Sequence, residues 1–358
     1  MEKRLILAIN PGSTSTKIAV FDEETVIFEK NIEHNVNELS AFKRITDQFQ
    51  LRKDLIIAEL ESHNIMFSEI KAVVGRGGLI KPIESGVYAI NEKMLEDLKS
   101  GIMGEHASNL GGLIAYDIAS ELSGVQAFIV DPVVVDEMCE VARISGHPEI
   151  KRRSIFHALN HKAVARHYAA SIGKQYENLN LIIAHLGGGA SVGAHCNGKV
   201  IDVNNALNGD GPFSPERAGG LPAGQLTELC FSGKYTHSEI KSMITGKGGM
   251  VAYLGTNSFK EVCKMASNGD SEAKLILDAF VYQVAKDIGA MAAVLKGNVD
   301  AIILTGGMTY NDAMTNSITQ MVNFIANVVV YPGEDEMKAL AFNALQVLNN
   351  KIKVKTYN

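Results

Sequence analysis

The sequence predicts an α/β protein built from two similar halves. Short apolar runs bounded by glycine or proline alternate with longer amphipathic segments, which is typical of proteins that pack helices against sheets. The chain has 358 residues, which is longer than a single hydrophobic core usually supports, so two domains are expected. A weak internal repeat supports this, because the segments beginning at Leu5 and Leu181 both read as strand, Gly/Ser turn, strand. A second pair of glycine-ended strands begins at Ala72 and Ala301.

The strands are predicted from short apolar runs that end at glycine, proline or a polar residue. In chain order they are Leu5–Asn10, Lys17–Phe21, Ala72–Gly75, Ala127–Val130, Leu181–Leu186, Ser191–His195, Val200–Val203, Ala301–Thr305 and Val328–Tyr331.

The helices are predicted from longer segments with amphipathic character. In the segment that begins at Ala273, apolar residues recur at three- and four-residue steps, which predicts a helix with one buried face. The predicted helices include Asp54–His63, Asn91–Lys99, Asn109–Leu122, His157–Ser171, Ala273–Leu295 and Glu336–Leu348.

Composition excludes several classes of protein. Hydrophobic residues make up 46% of the chain and charged residues 21%, as in globular proteins. The net charge is −6 and no basic cluster is long enough to follow a nucleic acid backbone. No apolar run approaches the ~20 residues of a membrane span, and Leu5–Ile9 is too short for a signal peptide. The four cysteines lie far apart, so we expect a cytoplasmic protein without a zinc site or disulfides.

Two glycine-rich turns are candidates for phosphate binding. Gly12, Ser13 and Ser15 lie between the first two strands, just before Lys17, and Gly187–Gly189 occupy the matching turn of the repeat. Successive backbone N–H groups in such a turn form a concave donor surface for phosphate oxygens. Each turn alone is also compatible with a simple hairpin, but two at matching positions favour ligand binding. The two halves are expected to face each other across a cleft, where small ligands usually bind.

The common nucleotide-binding motifs do not fit the sequence. Gly193 to Lys199 has the spacing of a Walker A motif, but Val200 stands where a hydroxyl must bind Mg²⁺. No G-x-G-x-x-G follows a strand and opens a helix. Phosphate, if bound, is therefore expected in the hairpin turns.

Eight ordered motifs give the chain a family resemblance over nearly its whole length. They are INPGSTSTK, VVGRGG, VDPVVVDE, RRSIFHALNHK, AHLGGGASVGA, GPFSPERAGGLP, LTGGM and YPGEDEMKALA. Together they resemble the butyrate kinases, relatives of acetate kinase in the acetate and sugar kinase, heat-shock and actin superfamily. The resemblance implies a duplicated ribonuclease H-like, actin-like ATPase fold with an interdomain cleft. It implies domains at 1–152 and 153–335, with a helix at about 336–350 that packs back on the first.

The same resemblance implies the reaction and its partners. The family transfers the γ-phosphoryl group of ATP to a short-chain carboxylic acid, or makes ATP from the acyl phosphate. ATP or ADP and Mg²⁺ are therefore the implied cofactors, and at least a homodimer is the implied assembly. No nucleic acid or membrane partner is expected.

The chemistry of such a reaction calls for positive charge rather than a base. A carboxyl group with a pKa of about 4.3 is already ionised at neutral pH, so no general base is needed. Two anions must meet, and the transition state spreads charge over the equatorial phosphoryl oxygens. Arg76 and Arg217 lie in loops rich in glycine or proline, within family motifs, and their guanidinium forks suit carboxylate and phosphoryl oxygens. We predict that both are catalytic.

The resemblance also assigns roles to histidines and glycines. His157 matches the transition-state histidine of the family, and His185 matches the one beside the second phosphate loop. His161, His167 and His195 are interpreted as structural, because most of the ten histidines of a chain this size are. The loop under adenine and ribose is matched by Gly306 and Gly307.

Oxygen ligands for Mg²⁺ are expected at three places. Asp131 matches the family aspartate near the metal, and Asn10 matches the polar residue that ends the first strand. Mg²⁺ keeps several waters and needs only one or two carboxylates besides phosphate oxygens. A further carboxylate follows the last strand, and Glu334 is our choice there, although the resemblance does not separate it from Asp335 or Glu336.

Two departures from acetate kinases bear on specificity. Gly188 stands where they carry an asparagine, so a side-chain contact to phosphate is lost. Gly77 and Gly78 stand where they carry valines, which predicts a larger acyl pocket, with Pro132 as a further lining residue. This favours a four- or five-carbon acid over acetate, without separating butyrate from isobutyrate.

Three other functions stay open at this point. A sugar kinase of the same superfamily needs a base for a neutral hydroxyl, and Asp131 is available for that role. Specificity for acetate or propionate within the same family also stays open. An ATP-driven clamp would hydrolyse ATP slowly without dependence on small acids, whereas a sugar-responsive repressor is disfavoured because the first strand begins at Leu5.

Overall fold

The structure is a computed structural model that describes residues 4–358 and folds into two units. The first unit extends to Val135 and also includes the C-terminal segment Asp335–Asn358. The second unit is Asp136–Glu334. The predicted boundary after residue 152 differs from the division after Val135. The reason is that residues 136–152 bond within the second unit: Cys139 N–H donates to the carbonyl of Ile201.

The elements of the first unit begin with two strands joined by the first glycine-rich turn. Its strands are β1 (Leu5–Pro11), β2 (Ser15–Asp22), β3 (Thr25–Glu33), β4 (Ile70–Arg76), β5 (Val87–Ala89) and β6 (Gln126–Val130). Its helices up to Val135 are α1 (Val36–Leu39), α2 (Phe49–Ser62), α3 (Glu92–Ser100) and α4 (Asn109–Ser120), with 3₁₀ turns at Ile45–Gln48 and Phe67–Glu69.

The second unit repeats this start and adds helices. Its strands are β7 (Ile144–His147), β8 (Ile150–Lys151), β9 (Asn180–Leu186), β10 (Ala190–Cys196), β11 (Lys199–Val203), β12 (Ala301–Gly306) and β13 (Val328–Pro332). Its helices are α5 (Glu140–Arg143), α6 (Ala158–Ser171), α7 (Ala223–Phe231), α8 (His237–Ile244), α9 (Met250–Leu254), α10 (Phe259–Ser267), α11 (Ser271–Val294) and α12 (Asp312–Val322), with 3₁₀ turns at Tyr176–Asn178 and Gly307–Tyr310. Helix α13 (Glu336–Leu348) belongs to the first unit and packs on β1 and β4.

The duplicated architecture is confirmed by the strand order of the two sheets. The first is ordered β3-β2-β1-β4-β6-β5 and the second β11-β10-β9-β12-β13. In both, the first three strands pair antiparallel and the next two pair parallel. The repeat read from Leu5 and Leu181 therefore corresponds to β1 and β9, and the pair from Ala72 and Ala301 to β4 and β12.

Each unit has its own core. In the first, β1 and β4 are buried on both faces between helices, so they read as continuous apolar runs. In the second, β9 and β12 are buried in the same way, and α11 presents Phe280, Val284 and Ile288 to the sheet. Among residues 4–358, no helix has the combined length and apolar character needed to traverse a bilayer.

Close packing of α4 on β4 fixes the position of the chain after β4. A β-carbon at Gly75 would overlap the carbonyl oxygen of Gly111, and one at Gly111 would overlap that of Arg76. Only glycine permits this approach of helix and strand backbones. The packing therefore sets where Arg76, the last residue of β4, leaves the sheet.

Gly111→Ala is expected to destabilise the protein by at least about 1–3 kcal/mol, because the helix must move away from the strand. Gly289→Ala is the matched control, since Gly289 also lies in a helix but its β-carbon would have no neighbour within 4 Å. We expect that control to be neutral or more stable by up to ~1 kcal/mol. Urea unfolding of both variants is the measurement, and equal stabilities would contradict the packing explanation.

Candidate active site

The first glycine-rich turn is a tight loop whose tip faces solvent. The Gly12 N–H donates to the Ser15 carbonyl at 2.8 Å, which closes the loop, and Ser13 and Thr14 are exposed. Lys17 lies on β2, where its Nζ is 2.8 Å from Glu29 Oε1 on β3. Its predicted contact with phosphate stays a prediction.

Asn10, Arg76 and Glu336 form a hydrogen-bonded cluster at the ends of β1 and β4. Glu336 Oε2 accepts from Asn10 Nδ2 at 2.6 Å and from Arg76 Nη1 at 2.6 Å. The Glu336 side chain is 8% exposed and that of Arg76 22%, so the ion pair is largely removed from water. Neighbouring parallel strands and the N-terminus of α13 bring these three residues together from distant parts of the sequence.

The three acidic residues after β13 have three different environments. Glu336 joins Asn10 and Arg76, whereas the Asp335 side chain accepts from the Lys338 N–H and caps α13. Glu334 Oε2 lies 3.5 Å from His185 Nε2 in the second unit. The structure thus groups Glu336, and not the sequence-based choice Glu334, with Asn10.

Asp131 is buried and held in a strained conformation directly after β6. Its φ is +37°, which is uncommon for a residue with a side chain and costs on the order of 1 kcal/mol or more. Its Oδ1 accepts from Ser85 Oγ at 2.6 Å and from the Gly86 N–H at 2.7 Å. A strained backbone conformation persists only where surrounding contacts hold it in place, and such residues are frequent at functional sites.

Gly77 and Gly78 both lie where a side chain would collide with the fold. A β-carbon at Gly77 would lie 2.6 Å from Pro132 Cβ, and one at Gly78 would lie 2.5 Å from Asn109 Cα. Gly77 and Pro132, both predicted to line the acyl pocket, are therefore neighbours, but the space beside both glycines is filled by Pro132 and Asn109, so it is not open volume for an acyl chain. Gly78 has a packing reason to be glycine, because the start of α4 passes directly beside it.

His157 and His185 stack on each other in the second unit. Their ring centroids are 3.8 Å apart and the planes differ by 13°. His185 Nδ1 lies 2.8 Å from Asn160 Oδ1, within hydrogen-bond distance. His157 precedes α6, and its Nδ1 lies 2.9 Å from Ser191 Oγ on β10.

A buried hydrogen-bonded chain continues from Ser191 into the core. Ser191 Oγ lies 2.9 Å from His161 Nε2, His161 Nδ1 lies 3.1 Å from His195 Nε2, and His195 Nδ1 lies 2.7 Å from Tyr176 OH. Burial is the main cause that lowers the pKa of His161 to about 3 and holds the pKa of His195 well below its usual value. Both rings are therefore neutral at pH 7. His161 and His195 are buried, as expected for structural residues. A chain of hydrogen bonds through Ser191 connects them to His157.

The second glycine-rich turn borders a cavity of about 410 Å³ within the second unit. Residues from four chain segments line it: Gly187 and Gly188, then Pro215 and Glu216, then Asn257, Phe259 and Lys260, then Gly307 and Met308. The structure therefore brings the predicted second phosphate turn and the predicted adenine loop to one cavity. Phe259 and Lys260 were not predicted, and they add an aromatic surface and a cation.

Arg217 is packed against the second glycine-rich turn. Its Nη1 donates to the Ala206 carbonyl at 2.7 Å, and a β-carbon at Gly189 would overlap the same nitrogen. Within residues 4–358, its Nε is buried without a hydrogen-bond partner, and burial lowers the pKa of the guanidinium. An unsatisfied buried donor beside a phosphate-type turn fits an anionic ligand.

Sequence reasoning did not single out Arg52, nor the hydrogen bonds that Glu336 makes to Asn10 and Arg76. Arg52 on α2 is fully buried and donates to three carbonyls of the first turn. An arginine on an amphipathic helix gives no local signal of this role, because the contact depends on tertiary packing.

Comparison with known proteins agrees with the family resemblance. The profile of the Acetokinase family matches residues 147–331. Butyrate kinase 1 of Clostridium acetobutylicum is 59% identical over 352 residues, covering 98% of this chain and 99% of the relative. Butyrate kinase 2 of the same organism is 60% identical with the same coverage.

Solved structures show the same fold at much lower identity. An acetate kinase from Porphyromonas gingivalis has a TM-score of 0.78 at 20% identity, covering 96% of this chain and 100% of that one. A propionate kinase from Francisella tularensis has a TM-score of 0.75 at 20% identity, covering 95% and 98%. The duplicated strand order, the glycine-rich turns and the matches over almost the full length lead to one conclusion: this chain belongs to the acetokinase family.

Proposed function

We propose that this protein is an ATP-dependent carboxylate kinase that interconverts butyrate, or a branched short-chain acid, with its acyl phosphate. The observation that carries the proposal is the identity of about 60% to two butyrate kinases over 98% of the chain. Family membership supports the phosphotransferase class. The site supplies arginines and glycine-rich turns, which suit a reaction between two anions.

In this proposal the acid anion is recognised by positive charge. The acid is ionised at neutral pH and needs no base, so Arg76 would hold its carboxylate and offset the repulsion from the phosphoryl group. Glu336 and Asn10 fix the guanidinium from one side. Arg217 and His157 would donate to phosphoryl oxygens, where charge accumulates in the transition state.

The polyphosphate and the nucleoside would be held by the glycine-rich segments. We propose that Gly12, Ser13 and Ser15 bind phosphate oxygens, and that Gly187, Gly188 and Gly189 also do. Gly306 and Gly307 would lie under adenine and ribose, beside the cavity that Phe259 also lines. His185, stacked on His157, would border the second turn.

The donor set fits Mg²⁺ rather than a softer metal. Asn10, Asp131 and Glu336 offer oxygen atoms, although among residues 4–358 no three His, Cys, Asp or Glu side chains cluster so that they could hold a metal ion by themselves. Mg²⁺ suits such a site because it keeps several waters and takes phosphate oxygens as ligands. We propose Glu336 as the third protein carboxyl or amide group near the ion, in place of Glu334. When bound, the ion would neutralise charge on the transferred phosphoryl group.

An acid panel tests this function directly. With ATP and hydroxylamine, an acyl phosphate product gives a hydroxamate, whereas a sugar phosphate does not. We expect butyrate to exceed acetate in kcat/KM by roughly tenfold, because two further methylenes are buried at about 0.8 kcal/mol each. A higher kcat/KM for acetate would contradict the predicted acyl pocket, and no hydroxamate with any acid would contradict the proposed function.

We further propose a cytoplasmic homodimer, as the family resemblance implies. Several large apolar side chains of the second unit are exposed, including Phe231, Val141 and Phe324 at 80% or more. Burial of such side chains between two copies is a common reason for their exposure in a single chain.

A further inference from the structure

Arg52 lies underneath the first glycine-rich turn with no exposure to solvent. Its Nη1 donates to the carbonyls of Gly12 at 2.8 Å and Ser15 at 3.0 Å, and its Nη2 donates to the carbonyl of Ser13 at 3.0 Å. Gln48 Oε1, one turn earlier, accepts from Nε at 3.1 Å and from Nη2 at 2.8 Å. The guanidinium is thus bound on one side by its own helix region and on the other by the turn.

The fourth carbonyl of the turn is also fixed. The His34 N–H donates to the Thr14 carbonyl at 2.8 Å, and His34 Nε2 lies 2.7 Å from Thr16 Oγ1, which also accepts from Arg52. Burial, and then the charge of Arg52, lower the pKa of His34 to about 4, so this ring is neutral at pH 7. Every peptide carbonyl from Gly12 to Ser15 is therefore oriented by a specific donor.

These bonds determine which way the peptide N–H groups point. A peptide unit is planar and trans, so its N–H points opposite to its carbonyl. The carbonyls of Gly12 and Ser13 face Arg52, and the N–H groups of Ser13 and Thr14 must therefore face away from it. Both residues are exposed, and adjacent N–H groups with a common direction form a binding surface for an anion.

We propose that Arg52 is a positioning residue that holds the first turn in its phosphate-binding conformation, an inference that rests on the proposed use of ATP. It does not touch the phosphate itself. It fixes the carbonyls on the inner side, so that the Ser13 and Thr14 N–H groups are presented to the phosphate oxygens without reorganisation. Its buried charge also lies directly behind the anion and adds to the positive potential there.

Lys53 provides a matched control on the same helix. Its side chain is also a largely buried cation, but its Nζ binds Asp117 and Glu121 on and beside α4 and does not contact the turn. Loss of either cation removes bonds made by a buried α2 side chain, so both substitutions are expected to reduce stability. Only loss of Arg52 should change the turn.

The experiment compares binding of ATP and of adenosine to Arg52→Met, Arg52→Lys and Lys53→Met, with the Tm of each variant. We expect Arg52→Met to weaken ATP by about tenfold or more, as when a preorganised donor group is lost, and to leave adenosine within about twofold. Arg52→Lys should recover part of the ATP affinity, because an ammonium group still donates to carbonyls. Lys53→Met should lower the Tm with the ATP to adenosine ratio unchanged.

Gln48→Leu keeps the test decisive if Arg52→Met does not fold. It removes the acceptor that orients the guanidinium and leaves Arg52 in place, so a smaller loss of ATP affinity is expected, again without loss for adenosine. Unchanged ATP affinity in folded Arg52 and Gln48 variants would overturn the proposal, as would an equal change in the Lys53 variant. Adenosine and ATP binding do not depend on which acid is the acceptor, so failure of the acid panel would be distinguishable from failure of this inference.

Discussion

Arg76→Ala is expected to lower kcat by on the order of a hundredfold, the usual effect of removing a donor to developing charge. Two physical causes act together. The acid anion loses the cation that would hold it, and Glu336, which is 8% exposed, keeps its negative charge with only Asn10 as a donor from this cluster. A buried unpaired carboxylate repels an anionic substrate as well as destabilising the fold.

A double variant separates these two causes. In Arg76→Ala with Glu336→Gln, the uncompensated charge is gone while the amide oxygen can still accept from Asn10. If Arg76 acts on the substrate, the double variant stays at least about tenfold below the Glu336→Gln single variant in kcat, a reference that already carries any loss of the metal from the Glu336 change. Recovery to nearly normal turnover would instead show that Arg76 only neutralises Glu336. Steady-state kinetics with butyrate and ATP, with the Tm as a folding control, decide between these outcomes.

The strands that carry the fold were predictable because they are buried on both faces. The predicted Leu5–Asn10, Leu181–Leu186 and Ala301–Thr305 each differ by a single residue at one end from β1, β9 and β12. The start of α13 at Glu336 was also predicted correctly. Continuous apolar runs and glycine-bounded ends are local properties, so they can be read without knowing the partner strand.

Two exposed elements, β3 and α7, were not predicted, because their sequences lack a continuous apolar run or a clear apolar face. Strand β3 is the outer strand of its sheet, and most of its side chains are exposed and mixed in polarity. Helix α7 buries none of its side chains within the chain, so the apolar residues along it do not mark a core face. Hydrophobic periodicity marks elements that bury one face, and β3 and α7 bury few side chains.

The candidate site shows the same division between local and tertiary information. The two turns were predicted from their glycine and serine content and the two arginines from the family resemblance, and their roles stay predictions. The hydrogen bonds of Glu336 to Asn10 and Arg76 were not predicted, because the direction of a side chain where α13 begins depends on how the helix starts and packs. The preference of aspartate for helix N-caps is a local signal that applies to Asp335, and Asp335 does cap α13. No comparable local preference distinguishes Glu336 from Glu334.

Arg52 had no such signal, since its partner Gly12 lies 40 positions earlier in the chain. The hydrogen-bonded chain from Ser191 to Tyr176 is another case. His161 and His195 read as structural residues, and they are buried, but their hydrogen bonds lead to the side chain of His157. A sequence cannot show which buried polar residues form a connected network, because that depends on how β10 lies against α6.

Arg217→Ala is also expected to lower kcat by on the order of a hundredfold, and its structural setting allows a sharper test than simple loss. Arg217 has a buried Nε without a partner in the described chain and an Nη1 that occupies the space beside Gly189. Arg152→Ala is the matched control, since Arg152 is another partly buried arginine of the second unit, held by Asp202 and the Ala142 carbonyl. We expect that variant to lose stability and to keep most of its turnover.

Gly189→Ala completes the test, because the new methyl group would displace the Arg217 guanidinium. Alone, it should lower kcat strongly, since the donor is pushed from its position. Combined with Arg217→Ala, it should add little, because the group it collides with is gone. The two substitutions are therefore expected to be non-additive by at least about 1 kcal/mol in the activation free energy, as is found for residues in contact. Additive losses would contradict the displacement of Arg217 by the Gly189→Ala methyl group, and near-normal turnover of Arg217→Ala would remove Arg217 from the mechanism.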